Sequence, residues 1–182
     1  DEAVQILRLM WTGDEAYFDG DHYKVDGAIN RPRPLQDPYP PLWIAGGGEQ
    51  LTLRVVAKYG NYANYFGSAD TFRHKTEVLQ GHCREVGRDF DEITLTRNLD
   101  CLIAADEAQL EEKAIEWGKR MPGNRTVEQW KEHSLYGTPD QVVAQIRDIE
   151  TLGIDYLLVY FADATWGDGM RLFGEQVIPA LS

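Results

Sequence analysis

Five consecutive residues combine types and spacing suited to ligand chemistry: Ala45-Gly46-Gly47-Gly48-Glu49. They lie where an apolar segment, residues 41–47, gives way to a helical pattern over 50–59. Three glycines in a row let backbone N–H groups approach a ligand with no Cβ in the way. The start of a helix adds an electropositive end. The chemistry this suits is anion holding, a phosphate above all. The run is neither a P-loop, since no Gly-Lys-Ser/Thr follows, nor a spaced GxGxxG. A tight strand-to-helix turn that needs glycine for packing accounts for the same residues equally well. Asn64 falls near the end of the next short strand, 61–66, and is expected at the same rim. A turn-capping amide is the other reading of Asn64.

The remaining reactive side chains form no set. His22 sits on a hairpin, His74 and His82 on one helix eight residues apart, and His133 before a loop. That spacing does not make an HxxxH metal pair, and no metal site is expected. No Ser, Cys or Asp has a nucleophile-elbow context. The acidic run 106–116 reads as a solvated helix face. Trp117, Trp130 and Trp166 read as core or interface residues. Arg54, Arg31 and Arg33 are the candidate cations beside a phosphate.

The chain has 182 residues, a net charge of -12, 43% hydrophobic and 26% charged residues. That is a globular composition, long enough for one domain over 1–182. The acidic balance argues against nucleic acid and anionic membranes as partners, because both need a basic surface. No apolar run approaches the roughly 18 residues of a membrane span. Cys83 and Cys101 fit no CxxC or metal spacing, so two packed, reduced thiols in a cytoplasmic protein are expected. The sequence opens inside a helical pattern without an initiator Met, and is expected to be part of something longer.

The elements that must position the glycine run alternate. A helix over 2–11 carries Val4, Leu7 and Trp11 on one face. Asp19-Gly20-Asp21 joins the arms of a hairpin over 17–25. Residues 30–41 hold five of the eight prolines and read as an extended surface connection, so 12–41 is a hairpin plus connector. Beyond the glycine run come a helix over 69–87 capped by Ser68 or Asp70, and a β-branched strand over 92–104. A helical insertion over 106–136 follows, with a second short helix near 126–134. Thr138-Pro139-Asp140 starts a helix over 139–152 that ends at Gly153. Residues 154–162 read as a strand buried on both faces, and 170–181 as a last helix. Four strand–helix units imply a parallel sheet, in an open doubly wound fold or as half of a (β/α)8 barrel of roughly 250 residues.

Two stretches carry a resemblance: YFDGDHYKVDGAINRPRPLQDPYPPLWIAGGGEQLTLRVVAKYG at 17–60 and YGTPDQVVAQIRDIETLGIDYLLVYF at 136–161. The chain resembles the C-terminal half of the luciferase-like monooxygenase superfamily, most closely its deazaflavin (coenzyme F420) dependent oxidoreductases. The resemblance implies an α/β fold, about four βα units of a TIM (β/α)8 barrel. It implies that Ala45, Gly46, Gly47, Gly48 and Glu49 hold the phosphate of F420, or alternatively of FMN. Asn64 matches, within Gly60-Asn61-Tyr62-Ala63-Asn64, the Asn of a GDGWN-like stretch. The family's acid/base residues belong to the first half of the barrel, so no catalytic residue is assigned.

The expected function is therefore the C-terminal part of an oxidoreductase acting on a small molecule by hydride transfer or oxygen chemistry. The alternative is a non-catalytic barrel fragment or subunit that acts through self-association. An open half-barrel exposes strand edges, so a homodimer or a missing N-terminal partner half is expected. An unrelated sugar-phosphate enzyme using the same rim is a third reading.

Overall fold

The apolar spacing of the first residues produces α1 (Glu2–Thr12) in the computed structural model, which describes all of residues 1–182. These divide into two units, 1–63 with 78–93 and 64–77 with 94–182. In the first unit α1 leads into an antiparallel hairpin of β1 (Ala16–Asp19) and β2 (Lys24–Ala28). The Glu2 carboxylate accepts the N–H groups of Asp21, His22 and Tyr23 at 2.9–3.0 Å, tying helix to hairpin tip. The proline-rich stretch after β2 contains no strand up to β3 (Trp43–Ala45), as its missing N–H groups require.

Helix α2 (Thr52–Tyr59) follows and buries Leu53, Val56 and Ala57. Strand β4 (Tyr62–Asn64) lies beside β3, and Trp43 stacks on Tyr62 with centroids 4.5 Å apart. Helix α3 (Ala69–Val86) gives its second half to this unit, where Leu79 and Cys83 are buried. The Arg88 guanidinium closes the unit by donating to the last carbonyls of α2, at Val56 and Ala57.

In the second unit β5 (Thr94–Ile103) runs parallel to β6 (Ser134–Gly137) on one edge and to β7 (Tyr156–Phe161) on the other. Its side chains alternate between two cores. Leu99, Cys101 and Ile103 pack with Leu135, Val142, Val143 and Ile146. Leu102 packs with Ala114 and Trp130 from α4 (Glu107–Arg120) and α5 (Val127–Lys131). The Trp130 indole N–H donates to Asp100 at 2.9 Å, so this fully buried ring keeps its polar atom satisfied. Trp130 is thus a core residue, with Trp117 and Trp166 packed against its cluster. Thr138 and Gln141 form a capping box for α6 (Pro139–Glu150), and Gly153 after it adopts φ +76°.

Three details differ from the sequence expectation. Residues 134–137 form a strand, because the backbone of four short residues pairs with the upper half of β5; so short a segment shows no period of its own. Strand β7 is not buried on both faces. It pairs with β5 alone, Leu157, Val159 and Phe161 face the core, and Tyr156 and Tyr160 are 49% and 55% exposed. The last helix is interrupted: α7 (Gly169–Leu172) and α8 (Ile178–Leu181) are joined by a π turn, Phe173–Val177. Pro179 explains it, since proline cannot donate to the preceding turn and crowds its carbonyl.

Candidate functional site

The glycine run forms the turn from β3 to α2 in the first unit. Gly46 has φ +125°, which side-chain-bearing residues rarely adopt. A Cβ on Gly48 would stand 2.9 Å from the Thr52 hydroxyl, and one on Gly46 3.3 Å from the Thr52 methyl. Thr52 therefore crowds both positions, and at Gly46 the backbone conformation disfavours a side chain as well. Helix α2 has no side-chain cap. Its Leu53 N–H reaches back to the Gly48 carbonyl at 3.0 Å, while the N–H groups of Thr52 and Arg54 have no partner in the chain. Unsatisfied first-turn donors and the helix dipole make this end a place for negative charge.

His82, on α3, fixes the far end of the turn. Its Nε2 lies 2.8 Å from the Glu49 carbonyl oxygen. A carbonyl only accepts, so Nε2 carries the proton, and Nδ1 faces Glu85 at 3.5 Å. Neither Thr52 nor His82 stood out in the sequence. Thr52 is an ordinary first-turn residue, and His82 lies 33 positions from its partner.

Asn64 belongs to the second unit and is 3% exposed. Its Nδ2 donates to Thr96 Oγ1 at 2.9 Å and Asn98 Oδ1 at 2.8 Å, tying the end of β4 to two same-face residues of β5. Its Oδ1 is buried and accepts nothing. The turn residues 45–49 are thus adjacent within one unit, and Asn64 is an interstrand amide with one spare acceptor in the other.

Of the candidate cations, Arg31 and Arg33 both pair with Asp14, at 2.7 and 2.5 Å, and are engaged there. Arg54 is exposed and in no ion pair. The second unit holds one buried charge network. Lys113 Nζ donates to Asp163 at 2.7 Å, to Asp168 at 2.8 Å and to the Ile103 carbonyl at 2.9 Å, with Asp163 fully buried. Burial pulls the Lys113 pKa down, but the two carboxylates outweigh it and the net shift is upward; Lys113 in turn holds Asp168 low. Both cysteines are free and buried; burial raises the Cys83 thiol and, with Asp163 nearby, pushes Cys101 up to about 12. No cluster of His, Cys, Asp or Glu is placed to hold a metal.

Open helix N–H groups beside a glycine turn held by His82 make this end of α2 a place that favours negative charge. A sequence profile of the family described as luciferase-like monooxygenase matches residues 1–156. An F420-dependent glucose-6-phosphate dehydrogenase of Nakamurella multipartita is 22% identical, over 99% of this chain and 59% of its own length. An FMNH(2)-dependent dimethylsulfone monooxygenase of Pseudomonas putida is 24% identical, over 98% and 56%. The solved structure of an F420-dependent secondary alcohol dehydrogenase in complex with an F420-acetone adduct superposes with a TM-score of 0.79 at 20% identity, covering all of this chain and 60% of that one. The chain therefore spans about 60% of the length of the relatives it matches.

Proposed function

The chain belongs to the luciferase-like monooxygenase family, and from that premise we propose that residues 1–182 act as one domain contributing the cofactor-phosphate cradle of an F420-dependent oxidoreductase. FMN is the alternative cofactor; relatives of both kinds match the chain. The observation that carries the reading is the turn itself, with Gly46 and Gly48 pressed against Thr52 beside two open N–H groups of α2.

Ala45 to Glu49 would present backbone donors to the phosphate, and Arg54 would add charge. When bound, the deazaflavin supplies hydride transfer to a small-molecule substrate, and FMN supplies oxygen chemistry. His82 keeps the turn in one conformation through the Glu49 carbonyl, and Thr52 keeps it compact. No residue of this chain is assigned an acid or base role. The free, buried cysteines support placing the protein in the cytoplasm.

The second reading is a scaffold that acts by self-association. The half-exposed Tyr156 and Tyr160 on β7, which pairs with one strand only, favour it and support a homodimer. Fluorescence titration with F420 and with FMN separates the two. The cradle reading expects saturable binding that Gly47→Asp abolishes by anion repulsion. Binding to neither cofactor, or equal binding by Gly47→Asp, overturns it.

A further inference from the structure

We propose that Arg97 anchors a second anion site, built wholly within the second unit, for a small molecule that carries a carboxylate or phosphoryl group. The argument begins with the alternation of β5. Thr96 and Asn98 reach Asn64 on one face, so Arg97 points to the other, beside Leu99. A guanidinium in the middle of a central strand is costly there unless something compensates it. Arg97 is only partly exposed, and burial lowers its pKa from the usual arginine value. The one hydrogen bond of its side chain in the chain runs to the Gly67 carbonyl at 3.2 Å. No carboxylate lies within 4.0 Å of it, although the chain has 30 Asp and Glu against 18 Lys and Arg. Four of the five guanidinium N–H donors therefore remain unused.

Those donors border open space. Arg97 lines a cavity of about 280 Å³ with Phe66, Gly67, Asn98, Leu99 and His133. That volume equals roughly nine water molecules, room for an oxyanion with a short organic body. Leu99 and Phe66 supply an apolar wall, and no carboxylate lines this cavity. The exposed His133 ring makes no hydrogen bond within the chain and stands as a second donor. A neighbouring cavity of about 210 Å³ shares Arg97, Leu99 and His133, and the Glu132 and Asp148 carboxylates lie on that side. The acidic groups therefore steer an anion to the larger cavity. The planar fork of arginine matches two oxygens of a carboxylate or phosphoryl group at once.

The site shares no residue with the glycine turn, and the test keeps the two apart. The probe is inorganic phosphate, titrated into the 182-residue chain against sodium chloride at equal ionic strength. The readouts are the His133 ring resonances and the melting temperature. Phosphate is expected to shift the His133 resonances and raise the melting temperature, and Gly47→Asp is expected to leave the His133 shift intact. Arg97→Gln retains a donor for the Gly67 carbonyl but removes the charge, and is expected to weaken binding roughly tenfold or more. Because Arg97→Gln risks misfolding, His133→Ala on the exposed side chain is the second variant, with severalfold weaker binding expected. An unshifted His133 ring, or equal phosphate affinity in both variants and the parent, overturns the site. Acetate repeated in place of phosphate distinguishes a carboxylate ligand from a phosphoryl one.

Discussion

The Nε2–H of His82 meets the backbone carbonyl of Glu49 at 2.8 Å, so a helix 33 residues downstream holds the end of the glycine turn. His82→Ala is expected to weaken F420 or FMN binding about tenfold while leaving the melting temperature within a few degrees. His82→Gln, which retains a donor, is expected to recover most of the affinity. A purely structural histidine would show the reverse, a fall in melting temperature with unchanged affinity in the folded fraction.

Thr52 and Gly48 form a pair whose energies should not add. A Cβ on Gly48 lands 2.9 Å from the Thr52 hydroxyl. Gly48→Ala is expected to cost about 1–3 kcal/mol of stability by overpacking. Combined with Thr52→Gly, the same change should cost much less, and urea denaturation of the four proteins measures the coupling. Additive effects would show that Thr52 is not what excludes a side chain at position 48.

Lys113 should be the most sensitive charge in the second unit. Lys113→Met leaves Asp163 buried without its cation, at an expected cost of about 3 kcal/mol or more. The pH dependence follows from the two shifted groups. Asp168 is held low, so its contribution is present above about pH 4 and is lost as pH falls through its folded value. Lys113 is held high, so its contribution is present below about pH 10 and is lost as pH rises through its folded value. Stability measured by denaturant at pH 3, 7 and 11 should show a larger Lys113→Met effect at pH 7 than at either extreme.

Cys83 and Cys101 are buried, and their thiols are shifted away from the thiolate. Neither should react with a thiol-specific disulfide reagent at pH 8 in the folded protein, and both should react in urea. Fast labelling of either without denaturant would contradict the packing described.

The parts of this fold that were legible in the sequence are those whose cause is local. Asp19-Gly20 at a hairpin tip, the Thr138-Pro139 helix start and the αL glycine at 153 each act within four residues. The turn 45–49 was legible for the same reason, as a glycine run between two periodic segments. What was hidden depends on partners far along the chain. Strand β6 exists because β5 offers it an edge, His82 matters because Glu49 is nearby in space, and Arg97 stands out only once its neighbours are known. The exposure of Tyr156 and Tyr160 was hidden differently: an apolar strand reads as buried, and sequence alone does not reveal that one face lacks a cover.

The central claim is that the glycine turn holds a phosphate, and comparing FMN with riboflavin tests it most directly. The two share a ring system and differ by the phosphoryl group, so no variant is needed. Isothermal titration of the 182-residue chain with each should give at least about tenfold tighter binding of FMN. Equal affinities, or no binding of FMN and none of F420 in the same titration, would contradict the claim.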